Sequence, residues 1–310
     1  MIPLEGCPAC ESRRVEPYGT CRDLRLVRCR ACHLIYLDPQ PVSRVKERYL
    51  HQHDLAVHFG EVEDRKRVLF SRRLSALEAP PAGGRLCDVG CGDGLFLQMA
   101  AAQGWEPFGI EMNPPAADAA ERRGATILRG ELEEIRSLPL GSFDLVCSWD
   151  AIEHTPTPAL FAERIAGLAH PDGGRVILTT LNTSSLVARV TGMRWGMIVD
   201  EHFTYWNERS LTELLSRSGL TVLRVGFFGL GRDLVRPMDR LSAALGRRKP
   251  SGQSAPGAGG SWDTRSVVLR SERIVNRLLD VSRLGVGIMV EARRDSSIGP
   301  KQPVASGLGD

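Results

Sequence analysis

Short apolar runs alternate with amphipathic segments along the middle of this 310-residue chain. Six of the runs have the near-continuous apolar character of strands buried on both faces of a sheet. They lie at 85–89, 105–111, 125–129, 143–149, 175–182 and 220–228. Segments with apolar residues at helical spacing separate them, at 95–102, 114–123, 161–168 and 207–219. Strands that alternate with helices predict an α/β fold built on a mostly parallel sheet.

The first run leads into a glycine-rich turn and then into a helical segment. Glycine accepts positive φ and lets backbone N–H groups approach a ligand, so this order predicts a nucleotide-type site. Gly90, Gly92 and Gly94 form G-x-G-x-G, whereas a dinucleotide-binding turn has its third glycine at the position of Leu95. No lysine follows the turn, which excludes a P-loop. The second run ends on Glu111, at the strand tip where an acid holds a ribose diol.

At these residues the chain resembles the class I S-adenosylmethionine (SAM)-dependent methyltransferases. The segment Asp88–Gly94 matches the first motif of that family, and Glu111 matches its ribose-binding acid. The resemblance covers roughly residues 70–230 and implies a Rossmann-like sheet of seven strands, with SAM as the cofactor. A nicotinamide-binding turn with an unusual third glycine is the alternative.

The resemblance also implies roles for individual residues. Asp88 would orient the glycine loop or receive the ammonium group of SAM. Glu131 has the position of an acid that often contacts the adenine amino group, although a helix-capping carboxylate fits the same sequence. We include Trp149, at the end of the fourth run, as a further cofactor contact. The expected cofactor-binding residues are Asp88, Gly90, Gly92, Gly94, Glu111, Glu131 and Trp149.

Five of the eight cysteines fall in the first 32 residues, and four of these form two C-x-x-C pairs. In a cytosolic protein such pairs favour a metal over disulfides, and their separation fits a zinc ribbon. The expected ligands of a tetrahedral Zn²⁺ are Cys7, Cys10, Cys29 and Cys32. Four thiolates leave no open coordination position, so the predicted site is structural. Some SAM methyltransferases, including sugar C-methyltransferases, resemble this chain in carrying such a module ahead of the catalytic domain.

A ribbon that binds nucleic acid is the rival interpretation of the N-terminal region. It requires basic and aromatic residues interleaved on one face. Six arginines supply charge there, but Tyr18 is the only aromatic residue between the two cysteine pairs.

The end of the fourth run carries Asp150, Glu153 and His154, which share one face if the backbone turns helical. This segment resembles the E-x-x-E-H run of quinone O-methyltransferases, which can hold a divalent ion; here the first acid is the shorter aspartate. His154 is a candidate base, or it only shapes the cofactor loop together with Glu153. His202 is the second candidate base, or a histidine satisfied within its own loop. That loop, 183–206, shows no clear strand and is rich in aromatic residues, which predicts a lid for a planar or sugar-like acceptor.

The remaining segments are assigned from composition. Residues 42–82 are predicted to be a helical cover, with Val68, Leu69, Leu74 and Leu77 as its apolar face. The expected domains are a zinc-ribbon-like module at 1–41, this cover, a core at 83–231, a basic helical insertion at 232–284 with a flexible stretch at 249–261, a last core strand at 285–294 and a disordered tail at 295–310. We favour a solvated insertion over one that contacts an anionic substrate or a membrane surface.

Composition narrows the function further. A formal net charge of +3 does not by itself indicate nucleic-acid binding, and no apolar run is long enough to span a bilayer. The N-terminus lacks a signal segment, so we expect a cytoplasmic protein. The sequence predicts a SAM-dependent methyltransferase that acts on an oxygen or carbon atom of a sugar, quinone or secondary metabolite. The alternatives are a nucleic-acid methyltransferase, although no N/D-P-P-[FYW] run follows the fourth strand, and a non-catalytic SAM- or zinc-binding protein. The acceptor and the oligomeric state stay open.

Overall fold

The computed structural model describes residues 4–52, 63–229 and 281–295. In chain order the strands are β1 (Val15–Cys21), β2 (Leu24–Cys29), β3 (Ile35–Leu37), β4 (Arg85–Val89), β5 (Glu106–Glu111), β6 (Thr126–Arg129), β7 (Leu145–Trp149), β8 (Arg175–Leu181), β9 (Thr204–Tyr205), β10 (Leu220–Phe228) and β11 (Gly287–Arg294). The helices are α1 (Val42–Leu50), α2 (Glu63–Ser75), α3 (Leu95–Ala101), α4 (Pro114–Arg122), α5 (Pro158–Leu168), α6 (Leu186–Thr191) and α7 (Glu208–Arg217). Most of the predicted insertion and tail lies outside the described residues.

The main sheet has seven strands in the order β10-β11-β8-β7-β4-β5-β6. The five strands from β8 to β6 pair in parallel, and β11 pairs antiparallel with both β8 and β10. This arrangement confirms the predicted fold class. The late strand β11 fills the place between β8 and β10, as the run at 285–292 predicts.

Helices cover both faces of the sheet, which is why its central strands read as continuous apolar runs. On β4, Leu86 and Cys87 point to opposite faces, yet both are almost completely buried. Val146 of β7 is buried to the same degree. The carboxyl ends of β4, β5 and β7 therefore form one edge, where ligands bind in open α/β sheets.

A second, antiparallel sheet has the order β1-β2-β3-β9. Its first three strands come from the cysteine-rich N-terminal segment, whereas β9 comes from the loop between β8 and α7. The expectation that 183–206 contains no strand was therefore wrong, and the same loop also contains the short helix α6. A two-residue strand shows no alternation of its own, because its existence depends on a partner that is distant in sequence. Within the described ranges, no helix is both long and apolar enough to cross a membrane.

Candidate active site and metal centre

The glycine loop lies between β4 and α3, and all three of its glycines have positive φ. Gly94 precedes the first residue of α3 with φ +75°, and a Cβ there would lie 2.7 Å from the Cα of Ala120. A larger residue is therefore excluded both by the backbone conformation and by the close approach of α4. The loop can bring its N–H groups against a ligand at the carboxyl edge of the sheet.

Glu111 ends β5 beside this loop and is almost completely buried. Its Oε2 accepts a 2.9 Å hydrogen bond from the backbone N–H of Gly92, and its Oε1 accepts a 2.8 Å bond from that of Asn113. The hydroxyl of Tyr49, on α1, donates to the same Oε1 at 3.2 Å. Burial raises the pKa of Glu111, whereas these hydrogen bonds act to lower it. The predicted ribose acid is thus held in a fixed orientation next to Gly92.

Tyr49 was not foreseen from the sequence. Its backbone carbonyl accepts a 2.7 Å hydrogen bond from the side-chain amide of Asn113, which ties the end of α1 to the start of α4. No local pattern identifies a tyrosine on an early helix as a neighbour of an acid 62 positions later.

Glu131 lies in the turn after β6, where no helix begins. Glu131 therefore does not cap a helix, since no helix starts in the segment between β6 and β7. Its carboxylate lies 3.1 Å from Nζ of Lys46 on α1. Burial raises the pKa of Glu131, and the lysine opposes that shift. The adenine contact stays a prediction.

Three buried polar atoms meet near the end of β4 and β7 without a hydrogen-bond partner: Oδ1 of Asp88, Nη2 of Arg73 and Nε1 of Trp149. The guanidinium of Arg73 lies 4.1 Å from the centre of the Trp149 ring, and its charge acts on Asp88. Burial raises the pKa of Asp88 well above its usual range. Buried polar groups are normally paired, so these three atoms suit a polar ligand. An amino-acid moiety complements them, because its carboxylate suits arginine and its ammonium suits aspartate.

Arg73 belongs to α2, the predicted helical cover, whose inward face only partly matches the expected one. Leu74 is buried and Leu77 packs against the core, as expected, whereas Val68 and Leu69 are exposed by 50% and 38% and Phe70 is buried in their place. The many charged residues of α2 obscure its apolar stripe, which explains the two wrong positions. The spacing of Phe70 and Arg73, three residues apart, was the available signal for an inward-pointing arginine.

The segment after β7 does not form the helical face expected for its two acids and histidine. Asp150 has φ +53°, and a single 3-10 turn covers only Ile152–His154. The carboxylate of Asp150 accepts a 2.8 Å hydrogen bond from the hydroxyl of Thr179 on β8. Because aspartate tolerates the left-handed region, it reverses the chain here instead of starting a helix. Asp150 is therefore separated from Glu153 and His154.

Glu153, His154 and His202 come together instead, with one ligand atom of each within 4.8 Å of the others. The Nδ1 of His154 lies 2.9 Å from the carbonyl of Glu201, and the Nδ1 of His202 lies 2.8 Å from that of Met197. A neutral ring that donates its Nδ1–H to a carbonyl keeps Nε2 as an acceptor. Both candidate bases therefore present an atom that can accept a proton.

The electrostatics of this trio suit acid–base chemistry near neutral pH. Burial raises the pKa of Glu153 to about 7, and the charge of Asp150 adds to this shift. Desolvation lowers the pKa of both histidines, of which His202 is half-buried and His154 is exposed, so each favours the neutral form. The hydroxyl of Thr180 donates a 2.8 Å hydrogen bond to Glu153 and fixes its orientation.

The four paired cysteines form a compact cluster at one end of the small sheet. The Sγ atoms of Cys7 and Cys32 are 3.5 Å apart, and those of Cys10 and Cys29 are 3.6 Å apart. A tetrahedral Zn²⁺ with bonds of about 2.3 Å separates its sulfur ligands by about 3.8 Å, so these residues fit the ion. Burial raises the pKa of Cys10 to about 11, a cost of ionisation that a bound cation would offset. Cys21 does not belong to the cluster.

Most arginines of the N-terminal segment are paired with acids of the same segment. Arg28 and Arg30 both contact Glu16, and Arg25 contacts Asp38. These pairs reduce the charge that the segment offers to a polyanion.

Comparison with known proteins agrees with this geometry. A family model described as "Methyltransferase domain" matches residues 62–225, slightly more than half of the 310-residue chain. A curated relative, the ubiquinone biosynthesis O-methyltransferase of Albidiferax ferrireducens, is 31% identical over 156 residues, which are 46% of this chain and 62% of the relative. The chain spans about half the length of the curated relatives that it matches.

Two solved structures share the fold at low sequence identity. A methyltransferase of Haloferax volcanii described as putative, solved in complex with the Trm112 methyltransferase activator, gives a TM-score of 0.52 at 17% identity and covers 81% of this chain and 97% of its own. Magnesium protoporphyrin IX methyltransferase from Synechocystis, solved with bound SAH, gives a TM-score of 0.51 at 15% identity. The match covers 82% of this chain and 99% of that protein. At such identities the likeness concerns the fold alone.

Proposed function

The chain belongs to the methyltransferase-domain family, and we propose that it is a class I SAM-dependent methyltransferase that methylates an oxygen or carbon atom of a small molecule. The observation that carries the proposal is the position of Glu153, His154 and His202. Glu153 and His154 follow β7, and His202 joins them from the loop that precedes β9. The neighbour of β7 in the sheet, β4, leads into the glycine loop, so both groups lie at one edge of the sheet. A Cβ on Gly90 would lie 3.2 Å from Ala151, which shows how closely the two segments approach.

The cofactor roles follow from the contacts at this edge. Glu111 would bind the two ribose hydroxyls, since its carboxylate is the only acid at the tip of β5 and faces the loop at Gly92. Asp88 would receive the ammonium of the methionine moiety, and Arg73 would receive its carboxylate. The loop glycines at 90, 92 and 94 would pack against the part of SAM that links its ribose to its methionine ammonium and carboxylate. Glu131 at the adenine and Trp149 near the methionine moiety complete the proposed site.

For methyl transfer, the protein has to position the acceptor and remove the proton of its hydroxyl group. The methyl carbon of a sulfonium is already activated, so the protein must hold the acceptor oxygen in line with the C–S bond. In the proposed step the acceptor oxygen forms a bond to the methyl carbon and the C–S bond breaks, leaving the neutral thioether SAH. The acceptor's proton passes to Nε2 of His154 or His202. Glu153 would stabilise the resulting imidazolium.

The acceptor class is supported by the names of the curated relatives, which are ubiquinone biosynthesis O-methyltransferases. An oxygen of a ring-bearing small molecule is therefore the acceptor that we favour. The aromatic side chains Trp195 and Phe203 of the loop that carries His202 are buried in the core of the small sheet, so they do not support the predicted aromatic lid.

A second candidate role for the same trio is a divalent-cation site. Two imidazoles and a carboxylate suit several transition metals, and their ligand atoms already lie within 4.8 Å of one another. The E-x-x-E-H run of the resembling quinone O-methyltransferases offers two acids and one histidine, whereas the group here consists of one acid and two histidines. A bound ion would lower the pKa of an acceptor hydroxyl.

We further propose that the cysteine cluster holds one structural Zn²⁺. The sulfur spacing supports this ion, and four thiolates leave it without an open position for catalysis. Docking of nucleic acid on this segment has less support, because Arg25, Arg28 and Arg30 are engaged in ion pairs. A cytoplasmic location for the protein stays a prediction from its sequence.

Calorimetry and labelling test these proposals. We expect SAM and SAH to bind with similar heats and a nicotinamide dinucleotide to give none. Methyl-labelled SAM incubated with metabolite fractions and, in parallel, with total RNA should label only the metabolite fractions. Labelled RNA would overturn the small-molecule proposal, and SAM binding without transfer to any fraction would support a non-catalytic role. Elemental analysis should find one zinc per chain.

A further inference from the structure

We propose that the cysteine cluster is a positioning element of the acceptor site: the metal-bound knuckle holds β3, β3 holds β9, and β9 holds the catalytic trio in place. The inference rests on the proposed function for the identity of that trio. The contacts between the cysteine turn, β3, β9 and the turn after β7 can be measured without knowing the acceptor.

The first step leads from the cysteines to β3. Cys29 ends β2, and Cys32 lies three residues before β3. Within this turn the N–H of Cys29 donates to the carbonyl of Leu34 at 2.9 Å, and the N–H of His33 donates to the carbonyl of Cys29 at 3.0 Å. Two of the four proposed metal ligands therefore lie at the start and in the middle of the turn that directs the chain into β3.

The second step leads from β3 to β9. In the ladder Ile35 lies opposite Tyr205 and Tyr36 lies opposite Thr204. The N–H of Leu37 extends the pairing with a 2.9 Å bond to the carbonyl of Phe203. In the sheet order β9 is an edge strand with β3 as its neighbour. A strand of two residues has no stability of its own, so its position depends on this partner.

The third step leads from β9 to the catalytic trio. The residue just before β9, Phe203, donates its N–H to the carbonyl of Glu153 at 2.8 Å. The hydroxyl of Thr204 donates to the carbonyl of Ile152 at 3.3 Å. His202 directly precedes Phe203, and the carbonyl of Glu201 accepts from His154. This short segment therefore hydrogen-bonds on one side to β3 and on the other side to the turn after β7.

A separate contact ties the knuckle to the main domain. The side-chain amide of Asn207 donates to the carbonyl of His33 at 3.0 Å, while its oxygen caps α7 by accepting from the N–H of Ser210. Asn207 lies two residues after β9. The chain around Cys32 is therefore linked to residues 203–205 through β3 and to Asn207 through the carbonyl of His33.

The proposed cofactor site depends much less on these contacts. Gly92 and Asn113, which hold Glu111, belong to segments after β4 and β5 in the main sheet. Among the described residues, the links from the segment that follows β3 to this site come mainly from α1, where Tyr49 contacts Glu111 and Asn113 and Lys46 contacts Glu131. Loss of the metal should therefore disturb the acceptor side of the active site and leave SAM binding nearly intact.

Hydrogen exchange of the full chain tests the inference. The protein is stripped with a chelator and then reloaded with one equivalent of Zn²⁺, and bound metal is counted in each sample. We expect amides of 200–206 to exchange at least about tenfold faster in the stripped protein, while those of β4 and β8 keep their rates. Reloading should restore protection. SAM affinity of the same samples should change less than about fivefold, since only the contacts of α1 with Glu111, Asn113 and Glu131 are weakened.

Variants separate this role from a general effect on folding. Cys32→Ser should reproduce the stripped protein, and Cys21→Ser, which leaves the cluster intact, should behave like the native protein. Asn207→Asp keeps the cap of α7 but removes the donor to His33, so it should speed exchange at 200–206 with the zinc still bound. Unchanged protection at 200–206 after metal loss would overturn the inference, as would equal loss over both sheets. A native protein that binds no SAM would instead overturn the proposed function, whatever the exchange rates.

Discussion

The imidazole rings of His154 and His202 lie edge to face with their centroids 4.8 Å apart, although 48 positions separate the two residues in the chain. Each ring is oriented by a hydrogen bond from Nδ1 to a carbonyl of the loop 197–201. Their Nε2 atoms are therefore directed away from that loop, and the acid Glu153 completes the group. This relationship gives the chain a compact group of two imidazoles and one carboxyl, which neither histidine provides alone.

Removal of either histidine should slow transfer without weakening cofactor binding. A general base contributes roughly 10²–10⁴-fold to a rate, so we expect His154→Ala or His202→Ala to lower turnover by a factor in that range. SAM affinity, measured by calorimetry, should stay within about twofold, because neither ring contacts Glu111 or Asp88. His170→Ala, in the turn before β8 at the opposite edge of the sheet, is the matched control. Full activity in both active-site variants would exclude the histidines as bases.

Glu153 should make the stability of the protein depend on pH. Its pKa of about 7 in the fold exceeds the ordinary value of 4.5, so the folded state binds a proton between these two pH values that the unfolded state has released. The contribution of this group to stability is therefore lost as pH rises through that window. As pH rises from 4.5 to 7, the free energy of unfolding of Glu153→Gln should therefore increase by up to about 3 kcal/mol relative to that of the native protein.

Urea unfolding at several pH values measures this difference. The histidines act in the opposite direction, because a lowered pKa makes stability rise with pH up to their ordinary value of 6.5. They are present in both proteins, but the charge of Glu153 also acts on His202, so the comparison reports the carboxyl together with its interaction with that ring. A difference between Glu153→Gln and the native protein that stays constant with pH would contradict the assignment.

Glu111 should dominate cofactor affinity. Hydrogen bonds to a charged group contribute about 1.5–3 kcal/mol, so Glu111→Ala should weaken SAM binding at least tenfold. Tyr49→Phe removes one supporting hydrogen bond and should weaken it only about two- to fivefold. Glu106→Gln, at the exposed beginning of the same strand, is the control and should bind SAM normally. An unaffected Glu111→Ala variant would leave the proposed ribose contact without support.

Arg73 should recognise the amino-acid end of the cofactor. Its Nη2 is buried without a partner, and a carboxylate there would supply one. Arg73→Met should weaken SAM and SAH by about tenfold, the loss of roughly one charge-assisted hydrogen bond. The ligand 5′-methylthioadenosine lacks the amino-acid end and should bind both proteins alike. Equal weakening of all three ligands would show that the arginine supports the fold rather than the carboxylate.

Gly94 should tolerate no side chain. Positive φ alone costs an alanine about 1–2 kcal/mol, and at this position a Cβ would also lie 2.7 Å from the backbone of Ala120. Gly124 separates the two effects, because it has φ +91° but open space within 4 Å of the place where a Cβ would lie. We therefore expect Gly94→Ala to lower the free energy of unfolding clearly more than Gly124→Ala. Equal losses would mean that α4 moves away from the loop.

Several features of the fold and the site were predictable from local sequence. Strands buried on both faces leave continuous apolar runs, and β10 has the predicted bounds of Leu220–Phe228. The glycine loop, Glu111 and the cysteine pairs were identified because a backbone conformation, a strand tip or a metal imposes a residue type at a fixed spacing. The residues Tyr49, Arg73 and Asn113 were missed, because each acts through a partner on another element.

What the sequence by itself determined is therefore the strands of the parallel sheet, the glycine loop with its acid, and the two cysteine pairs, since each is imposed by a local residue pattern. Only the tertiary structure decided that Asp150 does not join Glu153 and His154, that β9 exists, and that His202 lies beside these two residues instead. A two-residue strand and a histidine in a loop carry no periodic signal. Their hydrogen bonds come from β3 and from the turn after β7, so their positions follow from how distant segments pack.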